Sequence, residues 1–201
     1  MEYNESYKTK SVGAYTESLH KFINGTNIID RSKEKDIRLL DICFGVGLNL
    51  ALTFDYCIKH NISNKLHAVS VEKDYNLIDI VKKTQILMPV KGYKILRHAL
   101  NNPYKNISLE LYIRDAIDFI YDLKGQFDVI YFDPFSKKHN PDMWSDDMFL
   151  KLYSLLAKGG VMTTYAAGKS IKESLINAGF SVSSLNSIGS RFQPATKACR
   201  L

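Results

Sequence analysis

The sequence predicts an α/β fold, in which a mostly parallel seven-stranded sheet carries helices on both faces and ends in a C-terminal β-hairpin. From residue 37 onwards, short apolar segments typical of buried strands alternate with segments of helical periodicity. The last two strand-like segments have no helix between them, as expected for an antiparallel pair. The 201 residues suit one domain, with an N-terminal arm and helix over 1–36 and the α/β core over 37–201.

Composition narrows the class of protein. No apolar run approaches the ~20 residues of a membrane span, and the N-terminus lacks the apolar stretch of a secretory signal. Three cysteines without a C-x-x-C pair, and five histidines without ligand spacing, predict a cytoplasmic protein with no metal site and no disulfide framework. The net charge of +6 suits a polyanionic partner such as RNA, although solvated lysine faces are also typical of basic chains.

The N-terminal elements come before the sheet. Residues 1–13 are polar and predict an arm or a short edge element, whereas Tyr15, Leu19 and Phe22 lie at helical spacing within a helix over 14–23. Asn24-Gly25 ends this helix, and the charges of residues 30–36 predict a linker.

A glycine turn follows the first strand, which we expect over 37–43. Gly45-Val46-Gly47 leads into a helix over 48–59, whose N-terminal N–H groups are available to ligand oxygens. A dinucleotide fingerprint would need a small residue where Leu50 stands, which disfavours NAD. The spacing of Asp41, Cys43, Gly45 and Gly47 resembles the first motif of class I S-adenosylmethionine methyltransferases, and an ordinary tight turn is the alternative.

Acidic residues follow the next two strands. Glu72 ends the strand over 66–71, where a carboxylate can accept two hydrogen bonds from a ribose diol, or can simply be a solvated charge. Asp115 follows the strand over 107–113 and either meets the adenine amino group or caps the helix over 116–124. Between these strands we expect helices over 75–87, ending at Met88-Pro89, and over 91–100, the second of them basic.

The segment 127–144, F-D-V-I-Y-F-D-P-F-S-K-K-H-N-P-D-M-W, is the centre of the predicted site. It reads as a buried strand that delivers Asp133 at its carboxyl end, where open α/β sheets place their chemistry. Asp-Pro is also a common turn, because Asp bonds its own backbone and Pro restricts φ. A helix over 142–157 capped by Lys158-Gly159-Gly160, a strand over 161–166 and a helix over 170–178 follow. Strands over 180–187 and 196–201 then flank a loop over 189–194.

Three motifs together resemble one narrow family, the MnmC-type methyltransferases of the tRNA wobble uridine, on a Rossmann-like class I fold. They are F-G-x-G-L-N at 44–49, S-V-E-K at 70–73, and N-P-D-M-W at 140–144 after D-x-F at 133–135. The chain departs from the family at Cys43 and Pro134, where Gly is usual, and at His139, where Lys is usual. Pro134 makes the loop more like the Asp-Pro-Pro-Phe loops of amino-group methyltransferases, which also suits an amine acceptor.

The resemblance implies a cofactor, a reaction and a partner. The enzyme would use S-adenosylmethionine to convert 5-aminomethyl(-2-thio)uridine into 5-methylaminomethyl(-2-thio)uridine in the anticodon loop of tRNA. Some members carry a fused flavin-dependent oxidase; we expect this chain to stand alone and to depend on a separate oxidase, or on other enzymes that form the aminomethyl group upstream.

The implied site residues fall into three groups. Asp133 would receive the amine proton, Phe135 would wall the uridine, and Trp144 is interpreted as a packing anchor. Lys137, Lys138 and Arg191 are expected to contact phosphates. The cofactor is expected to contact Asp41, Phe44, Gly45, Gly47, Asn49, Glu72, Lys73, Asp115, Ala116 and Asp133.

Other functions remain compatible with these residues. The chain could methylate a small amine or an adenine amino group. A polyamine synthase shares the fold, but no convincing second acidic pair for a diamine is visible in the sequence. A non-catalytic RNA-binding protein on the same fold is disfavoured by the joint presence of Gly45, Gly47, Glu72, Asp115 and Asp133.

Overall fold

The computed structural model describes residues 12–83, 90–186 and 194–201. Its sheet has seven strands in the order β3-β2-β1-β4-β5-β7-β6. The first five of these are parallel, and β7 pairs antiparallel with both β5 and β6. The predicted fold class is thereby confirmed. The strands are β1 Ile37–Ile42, β2 Leu66–Glu72, β3 Ile107–Ile113, β4 Phe127–Phe132, β5 Leu156–Thr164, β6 Ser181–Leu185 and β7 Ala195–Cys199.

Helices cover both faces of the sheet. The α-helices are α1 Val12–Ser18, α2 Ile28–Glu34, α3 Leu48–Lys59, α4 Tyr75–Lys83, α5 Gly92–Ala99, α6 Ala116–Asp122, α7 Asp146–Leu155 and α8 Lys169–Asn177. The structure also has a π-helix at Leu19–Asn24 and a 3-10 helix at Pro141–Trp144. None of the helices in the described ranges combines the length and the apolar character that crossing a membrane requires.

The central strands are buried on both sides, which explains their continuous apolar sequence. On β4, Val129 and Tyr131 belong to the core under α3 and α5, whereas Ile130 and Phe132 belong to the core under α7 and α8. This alternation is the period-two pattern of a strand between two helical layers.

The N-terminal region differs from the prediction. The expected linker over 30–36 is mostly helix, because α2 runs from Ile28 to Glu34 and buries Ile28 and Ser32 on one face. Its charged residues lie on the outer face, so the sequence shows a run of charges in which the helical period is not evident. The single helix expected over 14–23 is a short α-helix followed by the π-helix.

The helix expected over 142–157 is interrupted. Ser145 is extended at φ −78° and ψ 157°, and its side chain accepts a hydrogen bond from the Met148 N–H. It therefore caps α7 and separates that helix from the preceding 3-10 turn. The expected C-cap over 158–160 lies within β5 instead, where a register shift against β4 accommodates the extra residues.

Several expectations lie outside the described residues. They are the arm up to residue 11, the helix stop at Met88-Pro89, and most of the loop over 189–194, including Arg191.

Candidate active site

A cavity of about 490 Å³ lies at the carboxyl ends of the parallel strands. Its lining comes from the segments that follow β1, β2, β3, β4 and β5, together with the N-terminal helices. It spans the β1–β4 boundary, where the strand order reverses and where open α/β sheets bind ligands. The volume falls in the range of about 300–1,000 Å³ found for small-molecule sites.

The glycine turn forms one wall of the cavity. Cys43, Gly45 and Gly47 all have positive φ, at 68°, 57° and 71°. Gly45 lines the cavity and Gly47 does not. An added Cβ at Gly47 would lie 2.6 Å from the Phe44 ring and 2.7 Å from Leu96, so packing within the protein excludes a side chain there. A contact of Gly47 with the ligand stays a prediction, whereas Gly45 and Phe44 are both in the lining.

Glu72 connects the glycine turn to β2. Its carboxylate is buried and accepts hydrogen bonds from the N–H groups of Gly45 at 2.8 Å and Asp74 at 3.0 Å. A carboxylate has about four acceptor sites, so Glu72 can orient the turn and still bind a diol. Lys73 beside it is exposed and also lines the cavity.

Asp115 serves as the N-cap of α6. Its side chain accepts a hydrogen bond from the Ile117 N–H at 2.8 Å, and Asp115, Ala116 and Ile117 all line the cavity. The capping role is thus observed, while the contact with an adenine ring stays a prediction.

Asp133 and Asn49 form the central polar pair of the site. The Asn49 side-chain amide donates to Asp133 Oδ2 at 3.0 Å, and both residues line the cavity although they are 84 positions apart. Asn49 is nearly buried at 6% exposure. Its observed contact is with the carboxylate, so Asn49 orients Asp133, a relationship that the sequence did not reveal.

The wall beyond Asp133 contains Pro134, Phe135 and Ser136. Trp144 anchors this wall, because its indole N–H donates to the Phe135 carbonyl oxygen at 2.8 Å while its ring is 1% exposed. The interpretation of Trp144 as a packing residue is confirmed. Tyr165, which packs edge-on against Trp144, adds a further aromatic side chain to the cavity.

Asp41, Lys137 and Lys138 are predicted site residues that do not line the cavity. Asp41 is 1% exposed and accepts a hydrogen bond from the Ser70 hydroxyl at 2.7 Å, within the sheet rather than in the cavity lining. Asp41 and Ser70 are register partners on β1 and β2, so this hydrogen bond joins the two strands, and a direct cofactor contact of Asp41 stays a prediction. Lys137 and Lys138 are exposed in the turn after the Phe135 wall and do not line the cavity.

Negative charge converges on the glycine turn. Desolvation raises the pKa of the Cys43 thiol well above its usual value, and the carboxylates of Glu72, Asp133, Asp41 and Asp115 raise it further. The thiol is therefore neutral at physiological pH. Three of these carboxylates, Glu72, Asp115 and Asp133, line the cavity, which therefore favours a cationic ligand.

The N-terminal segment contributes residues that the sequence did not indicate. Glu17 and Phe22 line the same cavity as the residues that follow the strands. Nothing in the local pattern distinguishes Glu17 from other helix-surface acids, and Tyr165 follows β5 without a recognisable motif.

The residues present fit S-adenosylmethionine. Glu72 and the Asp115–Ile117 turn lie at the β2 and β3 ends of the cavity, which suits the ribose and adenine, whereas Asn49 and Asp133 lie toward the β4 end. The surrounding carboxylates suit the positive sulfonium. Within the described ranges, no group of three or more His, Cys, Asp and Glu side chains is arranged to hold a metal ion.

Comparison with known proteins identifies related chains. Residues 79–199 match the family model described as S-adenosyl-L-methionine-dependent methyltransferase. An uncharacterized protein of Methanocaldococcus jannaschii is 26% identical over 94% of this chain and 52% of its own length. The tRNA 5-methylaminomethyl-2-thiouridine biosynthesis bifunctional protein MnmC of Campylobacter fetus is 30% identical over 80% of this chain and 28% of its own length.

A solved structure gives the same relationship in three dimensions. The crystal structure of MnmC2 from Aquifex aeolicus superimposes with a TM-score of 0.85 and 29% identity, covering 97% of this chain and 64% of that one. The chain spans about half or less of the length of the curated relatives described above.

Proposed function

The chain belongs to the S-adenosyl-L-methionine-dependent methyltransferase family, and we propose that its acceptor is the primary amine of 5-aminomethyl(-2-thio)uridine at the wobble position of tRNA. The product would be 5-methylaminomethyl(-2-thio)uridine. The observation that carries the proposal is the Asp133 carboxylate, which Asn49 orients in the cavity shared with the glycine turn. The choice of tRNA is supported by the likeness to proteins named MnmC and MnmC2.

The chemistry divides between cofactor and protein. S-adenosylmethionine, when bound, supplies a methyl group that its sulfonium already activates toward nucleophiles. The protein must therefore position the amine and keep it neutral, because an ammonium has no lone pair to donate. Asp133 accepts a hydrogen bond or the proton from the amine, and Asn49 restricts the orientation of its carboxylate.

The neighbouring wall positions the base. Phe135 lines the cavity next to Asp133, and its backbone is held by Trp144. An aromatic ring at this place can stack on a uridine, or pack beside it, once the base has left the stack of neighbouring bases, as single-stranded anticodon loops allow.

Exposed cations near the cavity support an RNA partner. Lys137 and Lys138 lie on the turn that follows the Phe135 wall, and Ser136 Oγ and His139 Nδ1 lie 3.0 Å apart across that turn. We infer that these lysines contact phosphates. Arg191, assigned the same role from the sequence, lies outside the described residues.

Helix α5 carries further basic side chains and packs beside the glycine turn. Lys94 and His98 are exposed on it, and the Tyr93 hydroxyl of the same helix donates to the Val46 carbonyl oxygen at 3.1 Å. The Tyr93 contact lies on the buried face of α5 and holds the helix beside the glycine turn. We infer that Lys94, on the exposed face, adds a contact with an RNA phosphate. Each phosphate contact adds to the salt dependence of binding.

The test is transfer of labelled methyl from S-adenosylmethionine to tRNA taken from cells that lack the final methylation step, followed by nucleoside analysis. We expect label in methylaminomethyl uridine, and no label with Asp133→Ala. Label in adenine, or transfer to free small amines without RNA, would instead support the second candidate, which the Asp133-Pro134 loop favours. A further control is Lys137→Ala with Lys138→Ala, which should weaken tRNA binding and lower its salt slope by about 1 per lysine.

The aminomethyl group must be formed before this reaction. We propose that a flavin-dependent oxidase, or other enzymes that form the aminomethyl group, supply the substrate.

A further inference from the structure

In one ion pair of the N-terminal segment the lysine is buried and the glutamate is partly exposed. The Lys21 ammonium donates to Glu17 Oε1 at 2.6 Å, with the lysine side chain 3% exposed and the glutamate 36% exposed. Other helical pairs at this spacing have the opposite arrangement: the lysine is 50% exposed in Lys59–Asp55 and 89% exposed in Lys169–Glu173. In the N-terminal pair, the cation is the inner member and the carboxylate is the outer one.

The outer member lines the cavity. Glu17 is part of the same lining as Asn49 and Asp133, and Phe22, one residue after Lys21, is also part of it. Lys21 and Phe22 lie in the π-helix, a wide turn that often occurs at functional sites. The ring of Phe22 packs edge-on against Tyr131 of β4 at 5.3 Å, which fixes this segment to the central sheet.

We propose that Glu17 is a second carboxylate subsite of the cavity, which Lys21 orients and which binds an alkylammonium group. Lys21 donates to one oxygen of Glu17. A carboxylate can accept about four hydrogen bonds, so Oε2 can receive donors from a ligand. A buried lysine holding the carboxylate also reduces the conformational freedom that Glu17 would lose on binding.

Two ligands of the proposed reaction carry this group. One is the α-ammonium of the methionine part of the cofactor. The other is the aminomethyl group of the acceptor, which is an ammonium until it loses its proton before the attack. The first source depends only on the family, whereas the second rests on the proposed function. Binding experiments distinguish them, because 5′-methylthioadenosine lacks the amino-acid end that S-adenosylhomocysteine has.

The test uses Glu17→Gln, which keeps the size of the side chain and an oxygen that can accept from Lys21. Glu173→Gln, at an exposed helical pair, is the matched control. Titration calorimetry would measure affinity for S-adenosylhomocysteine and for 5′-methylthioadenosine, and steady-state kinetics would measure KM for aminomethylated tRNA. Loss of a charged hydrogen-bond partner predicts about a tenfold to hundredfold effect, and Glu17→Asp should restore part of it.

The outcomes separate the sources. Weaker binding of S-adenosylhomocysteine with unchanged binding of 5′-methylthioadenosine assigns Glu17 to the cofactor ammonium. Unchanged binding of both with a raised KM for tRNA assigns it to the acceptor amine. Equal weakening of both compounds, or no change in any of the three values, overturns the subsite.

Failure of the proposed function gives a different result. If the wild-type protein transfers no methyl to tRNA, the proposed function fails. Binding of S-adenosylhomocysteine and 5′-methylthioadenosine then still tests whether Glu17 is a subsite. In that case, unchanged affinity for S-adenosylhomocysteine overturns it.

Discussion

Replacing Asp133 with Asn tests the proposed acceptor chemistry most directly. The change keeps the shape of the side chain and an oxygen that can accept the 3.0 Å hydrogen bond from Asn49. It removes the negative charge and the ability to take a proton. Folding and cofactor binding should therefore change little, while methyl transfer should fall.

The magnitude follows from the role of the carboxylate. A positioned general base contributes about 10²–10⁴-fold to rate, which corresponds to about 3–5 kcal/mol of transition-state stabilisation. Asn49→Ala should cost less, about tenfold, because it removes the hydrogen bond that orients Asp133 but leaves the charge. Because the two residues act as one unit, the double variant should resemble Asp133→Asn alone.

The assay is single-turnover transfer of labelled methyl to aminomethylated tRNA, with calorimetric titration of S-adenosylhomocysteine on the same preparations. We expect an affinity within about threefold of the wild type, since Asp133→Asn leaves the ribose and adenine end of the cavity intact. A transfer rate close to that of the wild type would refute the assignment of Asp133 as the proton acceptor. A lost affinity for S-adenosylhomocysteine would show that Asp133 instead holds the cofactor.

Three further changes test the scaffold and the cofactor end of the site. Gly92→Ala should lower the free energy of unfolding in urea by about 3 kcal/mol or more, because its Cβ would lie 1.7 Å from the Ala51 carbonyl oxygen. Gly168→Ala is the control: the space around Gly168 is open, so the free energy of unfolding should change little. Glu72→Gln should weaken S-adenosylhomocysteine binding by about tenfold or more, because Gln cannot accept from two backbone N–H groups through both of its terminal atoms; unchanged affinity would contradict this role. Burial raises the pKa of Cys57 to about 12. The free energy of unfolding that this neutral thiol contributes is therefore present below the usual thiol pKa and is lost as pH rises, by about 1.4 kcal/mol per pH unit. Cys57→Ala should flatten the fall in urea-unfolding free energy between pH 9 and about pH 11, and parallel curves for variant and wild type would refute the role of Cys57.

The sheet and its main helices could be predicted because their signals are local. The structure gives α3 and β3 the predicted bounds, Leu48–Lys59 and Ile107–Ile113. In both segments the apolar period matches the element, and a turn residue or an N-cap stands at its end. Helix α2 was missed because its charged outer face dominates the sequence, whereas the burial of Ile28 depends on neighbours far along the chain.

The break at Ser145 illustrates a different limit. Asp146 and Asp147 continue a helical pattern from Pro141 onwards, so the sequence reads as one helix. The structure instead uses Ser145 as a cap and turns the preceding residues into a 3-10 helix. That turn places Trp144 under the Phe135 wall, where its indole finds a carbonyl acceptor that no local pattern indicates.

The sequence by itself determined the class of this protein: the alternation of strands and helices, the glycine turn and the acids after successive strands are all short-range patterns. Tertiary structure decided which of these residues share the cavity. It paired Asn49 with Asp133, paired Asp41 with Ser70 and brought Glu17 into the lining. The physical reason is that a site is formed by contacts between distant segments, and their relative placement depends on packing across two helical layers rather than on the periodicity of any one segment.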